Sequence, residues 1–460
     1  MTKSINSTFV PGPTYAEMLD PATQPSALRS KAIAAAGDEL NPANLFNITW
    51  RGPDHGIRHL VLPKELTGVK ANIVVMLGHF FPSGSHKVGA AYSTLMEGEL
   101  AGEIEPGKST TIGPSTGNFG IGVAYVSRLK GYPAIVVMPD GMSAERYQRI
   151  RQYGGKIDVT PGSESDLHLV LARTQEYRKD PRNKVLAQFE LLPNYRFHRY
   201  VTGRSALEAA KPYGNGRIAL FASAPGSAGT LAAGDEIKSA FPDCRVAALE
   251  PHECPTLFNN GRGSHRIEGI GDNMVTLIHN LLTTDYVALV HDEDCVLGLE
   301  LLERRHGRLE SLLGLSAKTL ECFPGMFGVS SLCNILGAIH MAQFLNLGPD
   351  ENVVTIATDG FDRYPSVLAD RERRCGALAE KDLGACFEKV FRGGDAHDIL
   401  DVRPREQKVR LFGYKEKSWT PFGYSMPYLE GMKSQSFWDG EFGKIGEIDA
   451  KLRKARATEV

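Results

Sequence analysis

The sequence is short of the features that hold together small secreted domains or membrane proteins. Its seven cysteines begin only at Cys244 and include no Cys-x-x-Cys pair, which argues against a disulfide scaffold and a thiolate zinc site. No stretch approaches the roughly 18 apolar residues of a membrane-spanning helix, and the first residues lack the basic segment and apolar core of a secretory signal. A cytoplasmic protein with reduced thiols is expected. Fifty-two basic and 54 acidic residues leave a net charge of −2, so there is no field of one sign to attract nucleic acid or an anionic membrane. The expected partner is a small substrate. Internal repeats, low-complexity tracts and the GxxxxGK[ST] loop of ATP-binding proteins are also missing.

What is present is a long, mixed pattern. With 460 residues, 42% of them hydrophobic, the chain can bury a large core, and at roughly 100–200 residues per domain it holds about two to four structural units. From Ala71 onward, apolar runs alternate with helical patterns: ANIVVML, KVGAAYSTLMEGEL, STTIG, GIGVAYVSRLKG, AIVVMP and SAERYQRIRQYGG. A second series follows with RIALFASA, GTLAAGDEIKSAF, RVAALEP, a helix over 331–345 and NVVTIATDG. Such alternation predicts βαβ units on mostly parallel sheets, and the two series predict two α/β lobes. About 70 amino-terminal residues and a tail from about 370 lie outside them. The tail is half charge-rich and half aromatic, with Trp419 and Trp438 in its second half.

Ligands on parallel sheets collect where strands turn into helices and expose backbone N–H groups. Three turns of this kind stand out. In FPSGSHKVG (81–89), Lys87 falls in the first turn of a helix, where the positive helix end disfavours a protonated amine and favours a nucleophilic one. A solvated lysine in a Gly/Ser turn reads the same segment equally well. In GPSTGNFG (113–120), hydroxyls, an amide and free N–H groups suit a carboxylate, although a plain turn looks similar. In APGSAGT (224–230), small residues let a phosphate approach backbone donors. Gly-rich turns of that kind also serve packing alone.

Taken in order, SGSHK, STGNFG, VMPDGMSAER (137–146) and GSAGT resemble the cysteine synthase and cystathionine β-synthase family of fold-type II pyridoxal-phosphate (PLP) enzymes. Further matches are Gln188-Phe189 followed by Asn194, His198 and Thr202-Gly203, then HRIEGIG (265–271), GVSS (328–331) and DGFDRY (359–364). The resemblance covers about 70–370. It implies a tryptophan synthase β-like, two-lobed α/β architecture with mostly parallel sheets. A large cofactor-binding lobe with an amino-terminal extension would span 1–96 and 206–370, a small movable lobe 97–205, and a carboxy-terminal extension 371–460.

By the same resemblance, Lys87 would bind the cofactor as a Schiff base and shuttle the α-proton. Asn118 would contact the ring hydroxyl, and Ser330 the pyridine nitrogen. Gly226, Ser227, Ala228, Gly229 and Thr230 would hold the phosphate, with Gly269 nearby, while Ser115, Thr116, Gly117, Asn118 and Gln188 would bind the substrate carboxylate. No metal is expected. A neutral serine at the ring nitrogen drains less carbanion charge into the ring than an aspartate does, which favours loss of a β-substituent over transamination. The implied activity is β-replacement or β-elimination on a β-substituted L-amino acid through an aminoacrylate, in a homodimer. A serine- or threonine-dehydratase-like deaminase and a non-catalytic PLP-binding sensor are the alternatives.

The sequence also departs from the family pattern. His86 before Lys87 resembles the G-A-H-K of the tryptophan synthase β subunit, where a histidine near or bonded to the phosphate and a capping or packing histidine at a helix start are the two readings. Gly78-His79-Phe80-Phe81 and Val88-Gly89 replace the family's usual charged residues, so cysteine itself is not assured as the product.

Overall fold

The computed structural model describes residues 9–457 apart from Thr116, and of Ala317 the backbone only. Eleven strands form two sheets. In the larger, β1 (His59–Val61), β2 (Asn72–Leu77), β10 (Asn352–Ala357), β7 (Ile218–Ser223), β8 (Arg245–Pro251), β9 (Tyr286–Val290) and β11 (Ile399–Asp401) lie side by side in that order. Only the two edge strands, β1 and β11, run antiparallel to their neighbours. The smaller sheet is wholly parallel, ordered β5 (Lys156–Thr160), β4 (Ala134–Pro139), β3 (Thr110–Pro114) and β6 (Asn183–Val185). The fold is α/β with mostly parallel sheets, as the alternation of runs predicts.

The central strands explain why. β2, β7, β8 and β10 bury nearly every residue on both faces and read as continuous apolar runs, as strands covered by helices on both sides must. The pattern is weaker at the edges. β5 carries Lys156 and Asp158 on a largely exposed edge, and β1, β6 and β11 are only three residues long. β9 is fully buried but lies between Asp285 and His291, without the glycine or proline turns that mark its neighbours. None of these five strands is evident from the apolar runs alone.

The carboxy-terminal extension is packed against the body of the protein. Its strand β11 closes the large sheet, and Trp419 and Trp438 are fully buried in a cluster with Ile112 of β3, Val137 of β4, Tyr195 and Leu277. The Trp419 indole donates to the Val275 carbonyl (2.7 Å), and the buried Lys415 amine donates to the Leu277 carbonyl (3.0 Å). The last helix, Ile445–Ala457, reaches the amino-terminal segment. There Asp449 accepts the backbone N–H groups of Tyr15 (2.8 Å) and Ala16 (3.0 Å), and Arg456 pairs with Glu17. Truncating Trp419 to alanine should cost about 3–5 kcal/mol. Chemical denaturation checks this, and an unchanged midpoint would show that the extension is an appendage.

Candidate active site

Lys87 begins the helix Lys87–Leu100, which follows β2 after two short turns. Those turns are gripped from far along the chain. Arg363, fully buried, donates to the carbonyls of Ser83 and of Gly84 (3.0 Å). Ser83 itself holds a left-handed conformation at φ +65° that a non-glycine residue rarely adopts. The Lys87 side chain retains some solvent access, yet the protein around its amine pushes the pKa below the usual lysine value. Desolvation is the main cause, partly opposed by Asp272, Glu164 and Asp359.

The turn after β7 lies against that amine. A methyl group built on Gly226 would stand 3.5 Å from Lys87 Nζ and only 2.4 Å from the Gly269 carbonyl oxygen, so only a glycine fits there. Ala228 adopts φ +63°, a strained conformation for alanine, and Gly269 φ +97°. Asn194 Nδ2 donates to Ser227 Oγ (2.9 Å), and Thr230 shares a hydroxyl contact with Ser223 (2.8 Å). Asn194 and His198 close on Gly229, where an added Cβ would meet Asn194 Oδ1 at 2.4 Å. These contacts bring the 224–230 turn, residue 269 and the 188–202 stretch around Lys87.

His86 is fully buried and makes no capping hydrogen bond, so of the two roles at a helix start it packs rather than caps. Its ring stacks on Trp50 (centroids 5.6 Å apart) and meets His198 edge-on (5.1 Å). Burial, aided by the Lys87 charge, pushes its pKa down to about 3. Below pH 6.5 the unfolded chain takes up a proton on His86 that the folded chain refuses until about pH 3, so stability from this residue falls as pH drops through that window. In the cofactor-free protein, wild type should therefore lose more stability between pH 7 and 5 than His86→Gln, by at most about 1.4 kcal/mol per pH unit. Parallel pH profiles for the two would contradict it.

Two serines begin the helix Val329–Phe344, and they are not equivalent. Ser331 accepts the Thr358 N–H (3.1 Å) and belongs to the framework. Ser330 Oγ is buried with no partner among the described residues. The loop residue Asn118 donates to Asp359 Oδ2 (2.6 Å), which also accepts from the Tyr364 hydroxyl (2.8 Å). Buried Arg146 supports the group by donating to the Tyr364 hydroxyl (2.9 Å) and pairing with Glu268. Ser115 Oγ accepts the N–H groups of Gly117 (2.9 Å) and Gly120 (2.8 Å), which shapes the loop and leaves its hydroxyl hydrogen to donate. Gln188 is buried, with Nε2 3.4 Å from the Pro114 carbonyl. Thr116 lies outside the described residues.

Sequence reasoning quoted DGFDRY and VMPDGMSAER only as family marks. It missed that Asp359, Tyr364 and Arg146 form one buried network and that Arg363 clamps the lysine segment. It also missed Asp272, which immediately follows HRIEGIG. Neither oxygen of this buried carboxyl has a partner among the described residues, and desolvation with the Glu164 charge pushes its pKa well above the usual carboxylate range, while Lys87 opposes the shift.

Pyridoxal phosphate fits these residues. Among the described residues the His86 ring nitrogens, Asn118 Oδ1, Asn194 Oδ1 and Ser330 Oγ are buried without partners, and a depressed lysine amine lies beside a glycine turn that a Cβ would fill. Residues 58–317 match the family described as "Pyridoxal-phosphate dependent enzyme". A probable cysteine synthase of Bacillus subtilis is 32% identical over 301 residues, which cover 64% of this chain and 89% of that one. A solved hydrogen sulfide-producing enzyme of Fusobacterium nucleatum superposes with a TM-score of 0.58 at 27% identity, over 72% of this chain and 91% of that one. The isoform 3 O-acetyl serine sulfhydrylase of Entamoeba histolytica, at 24% identity and a TM-score of 0.59 over 73% and 93% of the two chains, shares the fold.

Proposed function

Because the chain belongs to the pyridoxal-phosphate dependent enzyme family, we propose that it replaces the substituent on the β-carbon of a small L-amino acid, with Lys87 as carrier of cofactor and proton. Bound pyridoxal phosphate supplies the electron withdrawal that acidifies the α-hydrogen and lets a β-substituent depart. The chain's own residues do the rest. Lys87, its pKa lowered by desolvation, takes the α-proton as a base and returns it later as an acid. Gly226, Ser227, Ala228, Gly229 and Thr230 hold the phosphate, with His86 neutral and alongside.

Asp359 orients Asn118, whose unpartnered Oδ1 would meet the ring hydroxyl. The loop from Ser115 to Asn118 and Gln188 hold the substrate carboxylate and, by closing over it, exclude water. The observation that favours β-chemistry is Ser330. A neutral, unpartnered hydroxyl, where transaminating enzymes need a carboxylate, leaves the ring nitrogen unprotonated and favours loss of the β-group. All seven cysteines are free, in keeping with a reducing compartment, and we read the enzyme as a cytoplasmic homodimer.

The test is to supply O-acetylserine, O-phosphoserine, serine, cysteine and threonine, each with and without sulfide. β-Replacement predicts a new β-substituted amino acid whose formation needs the added nucleophile. Keto acid and ammonia at the same rate with or without it would assign the enzyme to β-elimination instead.

A further inference from the structure

On the large sheet, the carboxyl ends of β8 and β9 carry a group of side chains that the proposed reaction does not use. Among the described residues, His252, Glu253 and His291 have donor atoms within 4.8 Å of one another. Their proximity follows from strand register. The parallel pair β8 and β9 ends with Pro251 opposite Val290, and the next residues are His252 and His291. The His252 N–H donates to the Val290 carbonyl (3.0 Å), which carries the pairing one step further. The two imidazoles therefore stack, with centroids 4.0 Å apart and planes 30° from parallel.

Two carboxylates complete the group. Glu253 Oε1 lies 3.2 Å from His291 Nδ1, and its carboxylate also accepts the N–H of Asp292, which holds it at the start of the helix Asp292–Arg304. Asp398, immediately before β11, reaches to within 3.8 Å of His252 Nε2. The carboxy-terminal extension thus brings a second carboxylate near His252.

We propose that this edge binds one divalent transition-metal ion of the zinc class through His252, Glu253 and His291, with Asp398 as the fourth ligand. Two neutral imidazoles and two carboxylates carry two negative charges, which a divalent ion balances. Mixed nitrogen and oxygen donors suit zinc and its neighbours better than calcium or magnesium. Ligand atoms around a tetrahedral ion with bonds of about 2.0–2.2 Å lie roughly 3.3–3.6 Å apart. The donors of His252, Glu253 and His291 need to close by about an ångström, and the two stacked rings, each about half exposed, to turn until one ion lies in both ring planes.

The location gives the metal a structural task. It would join β8, β9 and the β11 segment, fastening the extension to the sheet. It would also sit one residue from Asp292, which accepts from Arg266 N and Nε (3.0 Å each) and so anchors the 265–271 segment that passes the active site.

The test titrates Zn2+ into chelator-treated holoenzyme by calorimetry. One ion per chain should bind with a Kd of about 10 µM or tighter, and binding should raise the melting temperature. His252→Gln and His291→Gln should each weaken binding at least about tenfold while leaving turnover in the absence of metal unchanged. Asp398→Asn, which lies outside the histidine pair, should weaken it as well and serves if either histidine variant melts lower without metal. Affinity poorer than about 10 µM, or affinity unchanged in the histidine variants, would overturn the proposal.

Discussion

Replacing Lys87 with alanine should abolish both the absorbance of lysine-bound cofactor and turnover, the latter by about 10⁴-fold or more. The effect is large because one amine serves two tasks, attaching the cofactor and moving the α-proton, and the two losses multiply. Lys87→Arg should do no better, since a guanidinium stays protonated and cannot form the linkage. Lys87 keeps some solvent access, and among the described residues no hydrogen bond ties its amine to the framework, so both variants should fold. Circular dichroism with a steady-state assay reads fold and function together. Turnover within about tenfold of wild type in Lys87→Ala would remove this residue from the chemistry.

The second large effect separates two adjacent serines. Ser330→Ala should retain cofactor yet lose about 10²–10³-fold in kcat, because the hydroxyl left without a partner in the fold is the one available to the ring nitrogen. Ser331→Ala should instead lower stability by about 1–3 kcal/mol, because its oxygen accepts the buried Thr358 N–H, and change kcat far less. Ser330→Asp should shift the cofactor spectrum toward a protonated ring and divert flux away from β-replacement. Equal kinetic losses in the two alanine variants would show that the helix start, rather than one hydroxyl, matters.

Much of this site could be read from sequence because its parts are local. Lys87, the 113–120 loop and the 224–230 turn each lie between an apolar run and a helical pattern, and the glycines and small residues mark them. The structure adds relations across distance. Arg363 grips Ser83 and Gly84 from about 280 residues away, and Asn118 meets Asp359 across 241. No periodicity encodes such contacts, although DGFDRY placed the right residues on the page. Asp272 was equally visible as the residue after HRIEGIG, but an acidic residue signals chemistry only once its burial and lack of partners are known.

The extension illustrates the same limit. Its composition shows many aromatics without saying what they cover, and only the fold shows Trp419 and Trp438 packed with the small sheet, and Asp398 near His252 at the end of another strand pair. The expected lobe boundaries at 97 and 205 bracket the four strands of the small sheet, which run from Thr110 to Val185.

The central claim is that Lys87 carries the cofactor in a site built for β-chemistry, and borohydride reduction of the holoenzyme tests it most directly. Reduction fixes the cofactor to whichever lysine holds it, and peptide mass mapping then locates the label. The account predicts one labelled peptide, containing Lys87, and its disappearance when a β-substituted amino acid is added before the reductant and displaces the lysine. A label on any other lysine, or one on Lys87 that substrate does not displace, would contradict it.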